Sequence, residues 1–275
     1  MKGSRPQRKL KVLLLGDNCI DRYVYGTCDR LSREAPIPIL TPTRQEDRPG
    51  MGCNVRESLL SFNLDVTFIT SDDAVVNTRY IDERYNHQLF RVETDKHKEP
   101  RTGSVDVQGY DAVVISDYGT GYITYDTIDQ IQRDFDGPIF VDSKKTDLAR
   151  FERCFVKINK EEWEARTSDA SDMIVSLGGE GALYAGKLYP VPKVEVSDVC
   201  GAGDTFLAAL VAGYLKYGRM ENAICTANLA GAIAVQHMGC YTLNQDEVQQ
   251  ISDKTWEEYN EVYRRYRQHN MSTEY

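Results

Sequence analysis

The segment from Asp198 to Gly213, DVCGAGDTFLAALVAG, combines small residues, a carboxylate and the start of an apolar helix. Gly201 and Gly203 allow the backbone to turn tightly. The helix that begins near Asp204 would direct its free amide hydrogens and its positive dipole end at that turn, which is how proteins bind anions such as phosphate. The segment therefore predicts an anion site with a carboxylate placed inside it.

A bound anion would repel the carboxylate of Asp204. An acidic residue at this position therefore requires an explanation. One reason is chemical, because a carboxylate at this position can take a proton from a hydroxyl group that attacks phosphorus. The other is structural, because aspartate is a frequent N-cap of helices. From the tetrapeptide Gly201-Ala202-Gly203-Asp204 alone, both interpretations stay open.

Three further segments contain residues that could serve a nucleotide or only the local fold. In VKINKEEWEA, residues 156–165, Asn159 and Glu162 have the spacing of a helix capping box. In SLGGEGALY, residues 176–184, the glycines permit close approach of the backbone to a phosphate or ribose, but a hairpin turn explains them equally well. Asn228 is a single polar residue on an apolar helix, which is usually a satisfied core amide.

The elements that would position these residues alternate along the first half of the chain. Short apolar runs that end in Gly, Asp or Ser are typical of strands buried on both faces, and they occupy residues 11–17, 66–70, 111–117 and 138–144. Helical stretches lie between them, as in the crossover units of a parallel sheet. Asp17, Asp117 and Asp142 lie at the ends of these runs, so we expect them at one sheet edge, where open α/β sheets bind ligands.

A second group of strands alternates in polarity or carries Pro, which favours an exposed antiparallel sheet. We interpret these runs as a small β lid on a single domain, with strands drawn from about 22–42 and 78–93. After residue 200 the chain is predicted to be helical. One helix should end at Gly218, a second at Gly239, and a final polar helix should run from about Asn244 through EEYNEVYRRYRQ.

Length and composition restrict the class of protein. The 275 residues suit one main domain, and no apolar run approaches the roughly 18 residues that span a bilayer. The basic start, MKGSRPQRKLK, lacks the apolar region of a signal peptide, so we expect a cytoplasmic protein that does not bind membranes. Seven cysteines without CxxC spacing favour reduced thiols, and the net charge of -9 argues against a nucleic-acid partner.

The tetrapeptide that ends at Asp204 resembles the C-terminal signature of the ribokinase/PfkB family of sugar kinases. This resemblance implies an α/β fold, a ribokinase-like three-layer α/β/α sandwich with a mostly parallel central sheet and a small β lid. It implies ATP and Mg2+ as cofactors, with Asp204 as the catalytic base, Gly201, Ala202 and Gly203 as the anion hole, and Asn159 and Glu162 at the magnesium. The nucleotide would contact residues from four segments, namely Lys144, Asn159, Ser176, Gly178, Gly179, Gly181 and Asn228.

Longer runs in the N-terminal half resemble one branch of that family, the D-glycero-D-manno-heptose 7-phosphate kinases of ADP-heptose biosynthesis, a route to lipopolysaccharide. They include GDNCIDRYVYG at 16–26, RLSREAPIPIL at 30–40 and SDYGTGYIT at 116–124. The similarity implies that the anomeric hydroxyl of the sugar phosphate is phosphorylated. It also implies two sets of substrate contacts, Asp17, Asp21, Gly50, Gly52 and Asn54 for the sugar hydroxyls, and Arg79 and Arg91 for the phosphate.

Each of these substrate residues also has a purely structural interpretation. Aspartates can cap strand ends, glycines can form turns, and arginines can be exposed lid charges. In the sequence these alternatives apply to Asp17 and Asp21, to Gly50 and Gly52, and to Arg79 and Arg91.

The chain is shorter than the family pattern in the segments 71–77, 94–110 and 166–172. Losing peripheral helices leaves sheet faces to be covered in another way, and a homodimer through the lid is one such way. The run Gly50-Met51-Gly52-Cys53 replaces a series of small residues and predicts a narrower sugar pocket.

We therefore predict an ATP-dependent sugar kinase. Two alternatives stay open: a kinase for another sugar, sugar phosphate or nucleoside, and a non-catalytic descendant that binds nucleotide or sugar. The joint presence of Asp204, Asn159, Glu162 and Lys144 favours an enzyme, because a pure binding protein needs no base. A P-loop kinase is excluded, since the sequence has no GxxxxGK[ST].

Overall fold

An eight-stranded sheet forms the centre of the molecule. The structure, a computed structural model, describes residues 8–94 and 97–253. Side by side, the strands of this sheet are β12 (Lys187–Tyr189), β11 (Ala182–Tyr184), β10 (Asp172–Ser176), β9 (Cys154–Asn159), β8 (Ile139–Ser143), β7 (Ala112–Asp117), β1 (Lys11–Gly16) and β4 (Asp65–Ile69). The strands from β10 to β4 run parallel, and β11 and β12 continue the sheet as antiparallel strands. The predicted, mostly parallel central sheet is confirmed.

Both faces of the sheet are covered, which explains why its strands are continuously apolar. Because successive side chains of a strand point to opposite faces, Val12 and Leu14 enter one core while Leu13 and Leu15 enter the other. The first core packs against α1 (Gly52–Ser61), α4 (Ala202–Tyr217), α5 (Met220–Ala234) and α6 (Gln245–Asp253). The second packs against α2 (Tyr125–Asp134) and α3 (Lys160–Ala165), which completes the three layers.

A separate four-stranded sheet forms the lid. Its order is β3 (Pro38–Met51), β2 (Asn18–Leu31), β5 (Val75–Asp82) and β6 (His87–Glu93). The outer pairs are antiparallel, as expected, but β2 and β5 run parallel, so the prediction of an antiparallel sheet is wrong for the central pair. The chain enters β2 from β1 and β5 from β4, and since β1 and β4 are parallel neighbours, both lid strands start in the same direction.

Glycines were predicted to end two helices, at Gly218 and at Gly239. Helix α4 ends at Tyr217 and Gly218 adopts the left-handed conformation, as predicted. Helix α5 instead ends at Ala234, so the prediction of an end at Gly239 is wrong. The carbonyl of Val235 accepts hydrogen bonds from the backbone of Ser197 and Asp198, a tertiary contact that competes with continuation of the helix.

Helix α6 follows Asn244, where the final polar helix was expected to begin. Residues 254–275 of that prediction, and the basic start of the chain up to residue 7, lie outside the described residues. None of the helices in the described part of the chain combines the length and apolar character needed to cross a bilayer.

Candidate active site

The site is built around the first turn of helix α4. Gly201 is the N-cap residue, with a left-handed backbone at φ 73°, and the helix begins at Ala202. Asp204 is therefore the third helical residue, and no side chain caps the helix. The N-cap interpretation of Asp204 is wrong, because Gly201 takes the N-cap position, and the Asp204 carboxylate instead accepts hydrogen bonds from Tyr118 at 2.5 Å and Asn54 at 3.2 Å.

The carboxylate of Asp204 is almost fully buried, with 6% of the residue exposed. Burial raises its pKa to about 6, and the nearby Asp142 acts in the same direction. Hydrogen bonds from Tyr118 and Asn54 and the charge of Lys157 work against that rise in pKa. A carboxyl group with a pKa near neutrality suits a general base, because it is mostly ionised at neutral pH yet basic enough to accept a proton.

A polar cavity of about 150 Å³ opens between Asp204 and Asn159. Its walls come from the ends of three parallel strands and from the start of α4, and they consist of Asp117, Tyr118, Asp142, Lys144, Lys157, Asn159, Gly201, Gly203 and Asp204. Asp17, expected at the same sheet edge, lies behind this wall and accepts a hydrogen bond from the backbone N–H of Tyr118 at 2.7 Å. The Asp204 carboxylate is thus buried but faces an open cleft.

Lys157 is a buried positive charge in the cavity wall and was missed by sequence reasoning. It sits near the end of β9, is 4% exposed, and donates a hydrogen bond to Asp142 at 2.6 Å. Burial opposes its charge, but Asp142, Glu162 and Asp204 outweigh burial and raise the pKa of its ammonium group. The available signal was a lysine inside the otherwise apolar strand VKIN, two residues before Asn159.

Asn159 and Glu162 form the capping box that their spacing predicted. The Asn159 side chain accepts the backbone N–H of Glu162 at 2.8 Å, and the Glu162 side chain accepts the backbone N–H of Asn159 at 2.8 Å. The other oxygen of Glu162 accepts from the ammonium group of Lys144. The pair therefore stabilises the start of α3 and presents a carboxylate beside the cavity.

The side-chain oxygens of Asn159 and Glu162 are suitable ligands for a magnesium ion that binds together with a nucleotide. In residues 8–94 and 97–253, no cluster of three or more His, Cys, Asp or Glu side chains could hold a metal. Mg2+ commonly keeps several waters and is bound by one or two carboxylates plus substrate phosphates, so Glu162 beside a phosphate-sized cavity meets that requirement.

An apolar pocket of about 390 Å³ adjoins the polar cavity. Five of the residues predicted to contact a nucleotide line it: Ser176, Gly178, Gly179, Gly181 and Asn228. Gly203 lines both the pocket and the cavity, so the two meet at the first turn of α4. Lys144 and Asn159, the other two predicted contacts, lie in the polar cavity instead.

The structural interpretations of Gly181 and Asn228 also hold. Gly181 closes the turn between β10 and β11 at φ 106°, where a β-carbon would lie 2.0 Å from the carbonyl oxygen of Tyr189. Asn228 donates to that same carbonyl at 2.7 Å. Both residues therefore hold the start of the loop that supplies Val191 and its neighbours to the pocket wall.

The five predicted sugar contacts meet where β1, the lid and α1 join. Asp17 is fully buried, and its carboxylate is engaged by Tyr118 and by the hydroxyl of Thr120, as a strand-end cap would be. Burial raises the pKa of Asp17. Gly52 donates its N–H to the Asp17 carbonyl at 2.8 Å.

Asp21 packs against Gly50, and Asn54 contacts Asp204. A β-carbon on Gly50 would be 2.3 Å from an Asp21 carboxylate oxygen, so the glycine lets strand β3 pass against that side chain. Asn54 reaches across from α1 to Asp204. Between these residues Met51 has an unusual φ of 55°, and such backbone strain is common beside ligand sites.

Arg79 and Arg91 stand directly opposite each other on β5 and β6. Arg91 pairs with Glu93 at 2.8 Å. Arg79 donates a hydrogen bond to Gln88 at 3.2 Å, but its buried Nε–H has no hydrogen-bond partner among the residues that the structure describes. Like charges placed opposite each other in a sheet are destabilising, and a buried donor without a partner is costly, so this pair has capacity for an anion.

Comparison with solved structures shows the fold. Ribokinase from Thermotoga maritima superposes with a TM-score of 0.71 at 16% identity, covering 89% of this chain and 100% of that one. Arabidopsis thaliana ribokinase complexed with ribose and ATP gives a TM-score of 0.69 at 13% identity, covering 90% and 100%. The chain has a ribokinase-like α/β fold.

Sequence comparison agrees with this fold. Residues 155–247, about a third of the chain, match the pfkB family carbohydrate kinase model, so the predicted resemblance is confirmed. The bifunctional protein HldE of a Nitratiruptor species is 28% identical over 300 residues, which cover 88% of this chain. The alignment spans 65% of that curated relative's length, just under two thirds.

Proposed function

We propose that the chain is an ATP-dependent sugar kinase with Asp204 as its general base. The observation that carries the proposal is the position of this buried carboxylate, which has a pKa of about 6 and faces a cavity that also contains Lys157 and Asn159. The family match and the ribokinase-like fold support the same activity.

The nucleotide would occupy the apolar pocket and the polar cavity together. The apolar pocket can take the adenine and ribose, and the polar cavity can take the terminal phosphates, with Gly203 at the junction. The charge on the phosphates would be met by the amides of residues 201–203, by Lys157 and by Lys144.

In the transfer that we propose, each group has one task. Asp204 takes the proton of the acceptor hydroxyl as that oxygen attacks the γ-phosphorus, the bond from this phosphorus to the β,γ-bridging oxygen breaks, and ADP leaves. Lys157 and the helix amides stabilise the charge that develops on the transferring group. The proton remains on Asp204 until solvent removes it after product release.

Magnesium is the second implied cofactor. Glu162 and Asn159 are the residues that would hold the ion or its waters. When bound, Mg2+ neutralises phosphate charge and orients the nucleotide.

The substrate we propose is D-glycero-D-manno-heptose 7-phosphate, phosphorylated at its anomeric hydroxyl to the 1,7-bisphosphate. Similarity to a bifunctional HldE protein supports this choice, as does the Arg79–Arg91 pair, which can bind the phosphate that the sugar already carries. Asp21 and Asn54 offer hydrogen-bond acceptors and donors for the sugar hydroxyl groups. Gly50 and Gly52 have no side chains that would occupy the space beside them.

Two properties belong to the proposal as a whole. The reaction would take place in the cytoplasm, where ATP is available, without nucleic-acid or membrane partners. The protein would form a homodimer through the lid, whose outer face exposes Phe90 and Val92. A monomer in sedimentation equilibrium at assay concentrations would contradict the dimer.

A screen of ATP consumption tests the function. Purified protein is incubated with ATP, Mg2+ and single candidate sugars, including the heptose 7-phosphate, other sugar phosphates and nucleosides, and products are assigned by phosphorus NMR. We expect ADP and a new anomeric phosphate with the heptose 7-phosphate. Turnover of another sugar alone would replace the substrate, and ATP binding without turnover of any sugar would favour a non-catalytic binding protein.

A further inference from the structure

Tyr118 contacts the base directly and has no part in the mechanism above. It follows β7, and its hydroxyl donates to Oδ1 of Asp204 at 2.5 Å while Asn54 donates to Oδ2 at 3.2 Å. Its backbone N–H donates to Asp17 at 2.7 Å. One residue thus links the predicted sugar pocket to the carboxylate that would act on the sugar.

The surroundings of Tyr118 leave its hydroxyl one role, that of a donor. The ring packs beside a small apolar cluster of Cys19, Met51 and Val75, which restricts its rotation. Burial and the neighbouring Asp204 carboxylate hold the pKa of the phenol well above its usual range, so the proton stays on the tyrosine oxygen.

We propose that Tyr118 is a positioning residue that fixes the Asp204 carboxylate through Oδ1, so that Oδ2, which also accepts from Asn54, can take the proton of the acceptor hydroxyl. The inference rests on the proposed kinase function for its catalytic consequence. A hydrogen bond to the ionised form favours ionisation, so Tyr118 also keeps the base available at neutral pH. The other titratable or charged groups that face Asp204 are Asp142, Lys157 and Cys240.

The test replaces the hydroxyl and keeps the ring. In Tyr118→Phe we expect the pKa of Asp204 to rise by about one unit, because a hydrogen bond to a charged group is lost. It is measured by carbon NMR of 13C-labelled aspartate, with Asp204→Asn to assign the signal. The acidic limb of the kcat profile should move by the same amount, with kcat lowered about tenfold and ATP affinity within about twofold.

Tyr184→Phe is the matched control, since the Tyr184 hydroxyl donates to Asp172 at 3.2 Å, at the other end of the sheet. We expect neither the Asp204 titration nor the kcat profile to change. An unshifted Asp204 titration in Tyr118→Phe, or an equal shift in the control, would overturn the inference. A wild-type protein that phosphorylates no sugar removes the proposed function, but the NMR titration still decides the link between Tyr118 and Asp204.

If Tyr118→Phe does not fold, 3,5-difluorotyrosine at position 118 retains the ring. Its more acidic hydroxyl is a stronger donor, so the pKa of Asp204 should fall. A pKa that stays the same or rises would also overturn the inference.

A separate observation concerns the thiols of Cys200 and Cys240, whose sulfur atoms lie 3.3 Å apart. Cys200 precedes the anion-hole turn, and the Cys240 side chain lies 3.1 Å from where a β-carbon on Gly201 would be. The hydrogen bond with Cys240 and the charge of Arg79 lower the pKa of Cys200 to about 7, against the effect of burial. Asn54 donates to the Cys240 sulfur at 3.4 Å.

We infer that this pair forms a disulfide in the presence of hydrogen peroxide and thereby switches the site off. The Cys200 thiolate attacks one peroxide oxygen, giving a sulfenic acid and, after protonation, water. The Cys240 sulfur then attacks the sulfenic sulfur, and the second oxygen leaves as water. A disulfide bond is about 2.05 Å long, so the two sulfur atoms must approach each other, and the change would disturb the contacts of Cys240 with the turn at Gly201 and with Asn54.

Intact mass and peptide mapping after peroxide treatment test this inference without reference to activity. We expect a Cys200–Cys240 cross-link that dithiothreitol reverses, retained in Cys154→Ser and absent in Cys240→Ser. ATP binding and turnover should fall with cross-linking and recover on reduction. Peroxide-treated protein without this cross-link, or cross-linked protein with full turnover, would overturn the inference.

Discussion

The backbone of Gly203 passes so close to Lys157 that a β-carbon at position 203 would lie 3.1 Å from the ammonium nitrogen. This contact joins the first turn of α4 to the end of β9 and places a buried positive charge beside Asp204. An anion in the cavity would meet both the helix amides and the lysine. The carboxylate between them is the group on which most of the predictions depend.

Replacing Asp204 by Asn is expected to reduce kcat by about 10²- to 10⁴-fold, the usual contribution of a general base. ATP binding should stay within a few fold, because the amide retains the shape of the side chain. Steady-state kinetics and calorimetric titration with ATP measure the two effects. A rate equal to that of the unmodified protein would refute the role of Asp204.

The pH dependence of kcat should report the same group. Since the base must be ionised to accept a proton and burial raises the pKa of Asp204 to about 6, kcat should fall below about pH 6. An ordinary aspartate would lose activity only near pH 4. A profile that is flat from pH 8 down to 5 would contradict the assignment, provided that the protein stays folded throughout.

Asp204 should also lower stability at neutral pH. Its pKa rises from 3.8 in the unfolded reference to about 6 in the folded protein, so the folded state binds more protons across that window. Stability therefore falls as the pH rises through the window, and the penalty is complete above about pH 6.

In urea unfolding, Asp204→Asn should be more stable than the unmodified protein by on the order of 2 kcal/mol at pH 8. The advantage should shrink toward pH 4, where the aspartate is neutral in both states. An advantage that is the same at both pH values would argue that the raised pKa is not its cause.

Gly231 on α5 offers a test of the nucleotide pocket. The residue lines the pocket, and a β-carbon there would have no atom of residues 8–94 or 97–253 within 4 Å. Gly231→Ala should raise stability by about 0.5 to 1 kcal/mol, because glycine is costly inside a helix. Gly231→Phe should instead fill the pocket and weaken ATP binding by at least about tenfold, given how much of a bound ligand such pockets bury. Equal ATP affinity in the two variants would place the nucleotide elsewhere.

Arg79 tests the recognition of a phosphorylated sugar. Arg79→Met should raise KM for the sugar phosphate by about 10- to 100-fold, the value of a charged hydrogen bond, and leave KM for the unphosphorylated sugar unchanged. Arg22→Met is the control, because Arg22 lies on the adjacent strand, paired with Asp47 at 2.7 Å. Equal effects on both sugars, or equal effects of both variants, would contradict a phosphate contact at Arg79.

Much of the fold followed from local patterns. The continuous apolar runs of β1, β7 and β8 predicted a sheet buried on both faces, and the glycine after Tyr217 predicted the end of α4. The lid was harder to predict, because the relative direction of β2 and β5 depends on which central strands they follow. The end of α5 was mispredicted for a similar reason, because the backbone N–H groups of residues 197 and 198 donate hydrogen bonds to the carbonyl of Val235.

Part of the site could also be predicted from local sequence, and part depends on the tertiary structure. Turn glycines, the capping box and strand-end aspartates are properties of a few neighbouring residues, so the order of amino acids alone indicated an anion site with a carboxylate in it. The only local signal for Lys157 was a lysine inside an otherwise apolar strand, and nothing local marked Tyr118 as a partner of Asp204. Their roles come from segments about 50 to 90 positions away in the chain that the sheet brings against Asp204. Burial among these segments, rather than residue type, raises the pKa of that carboxylate toward neutrality.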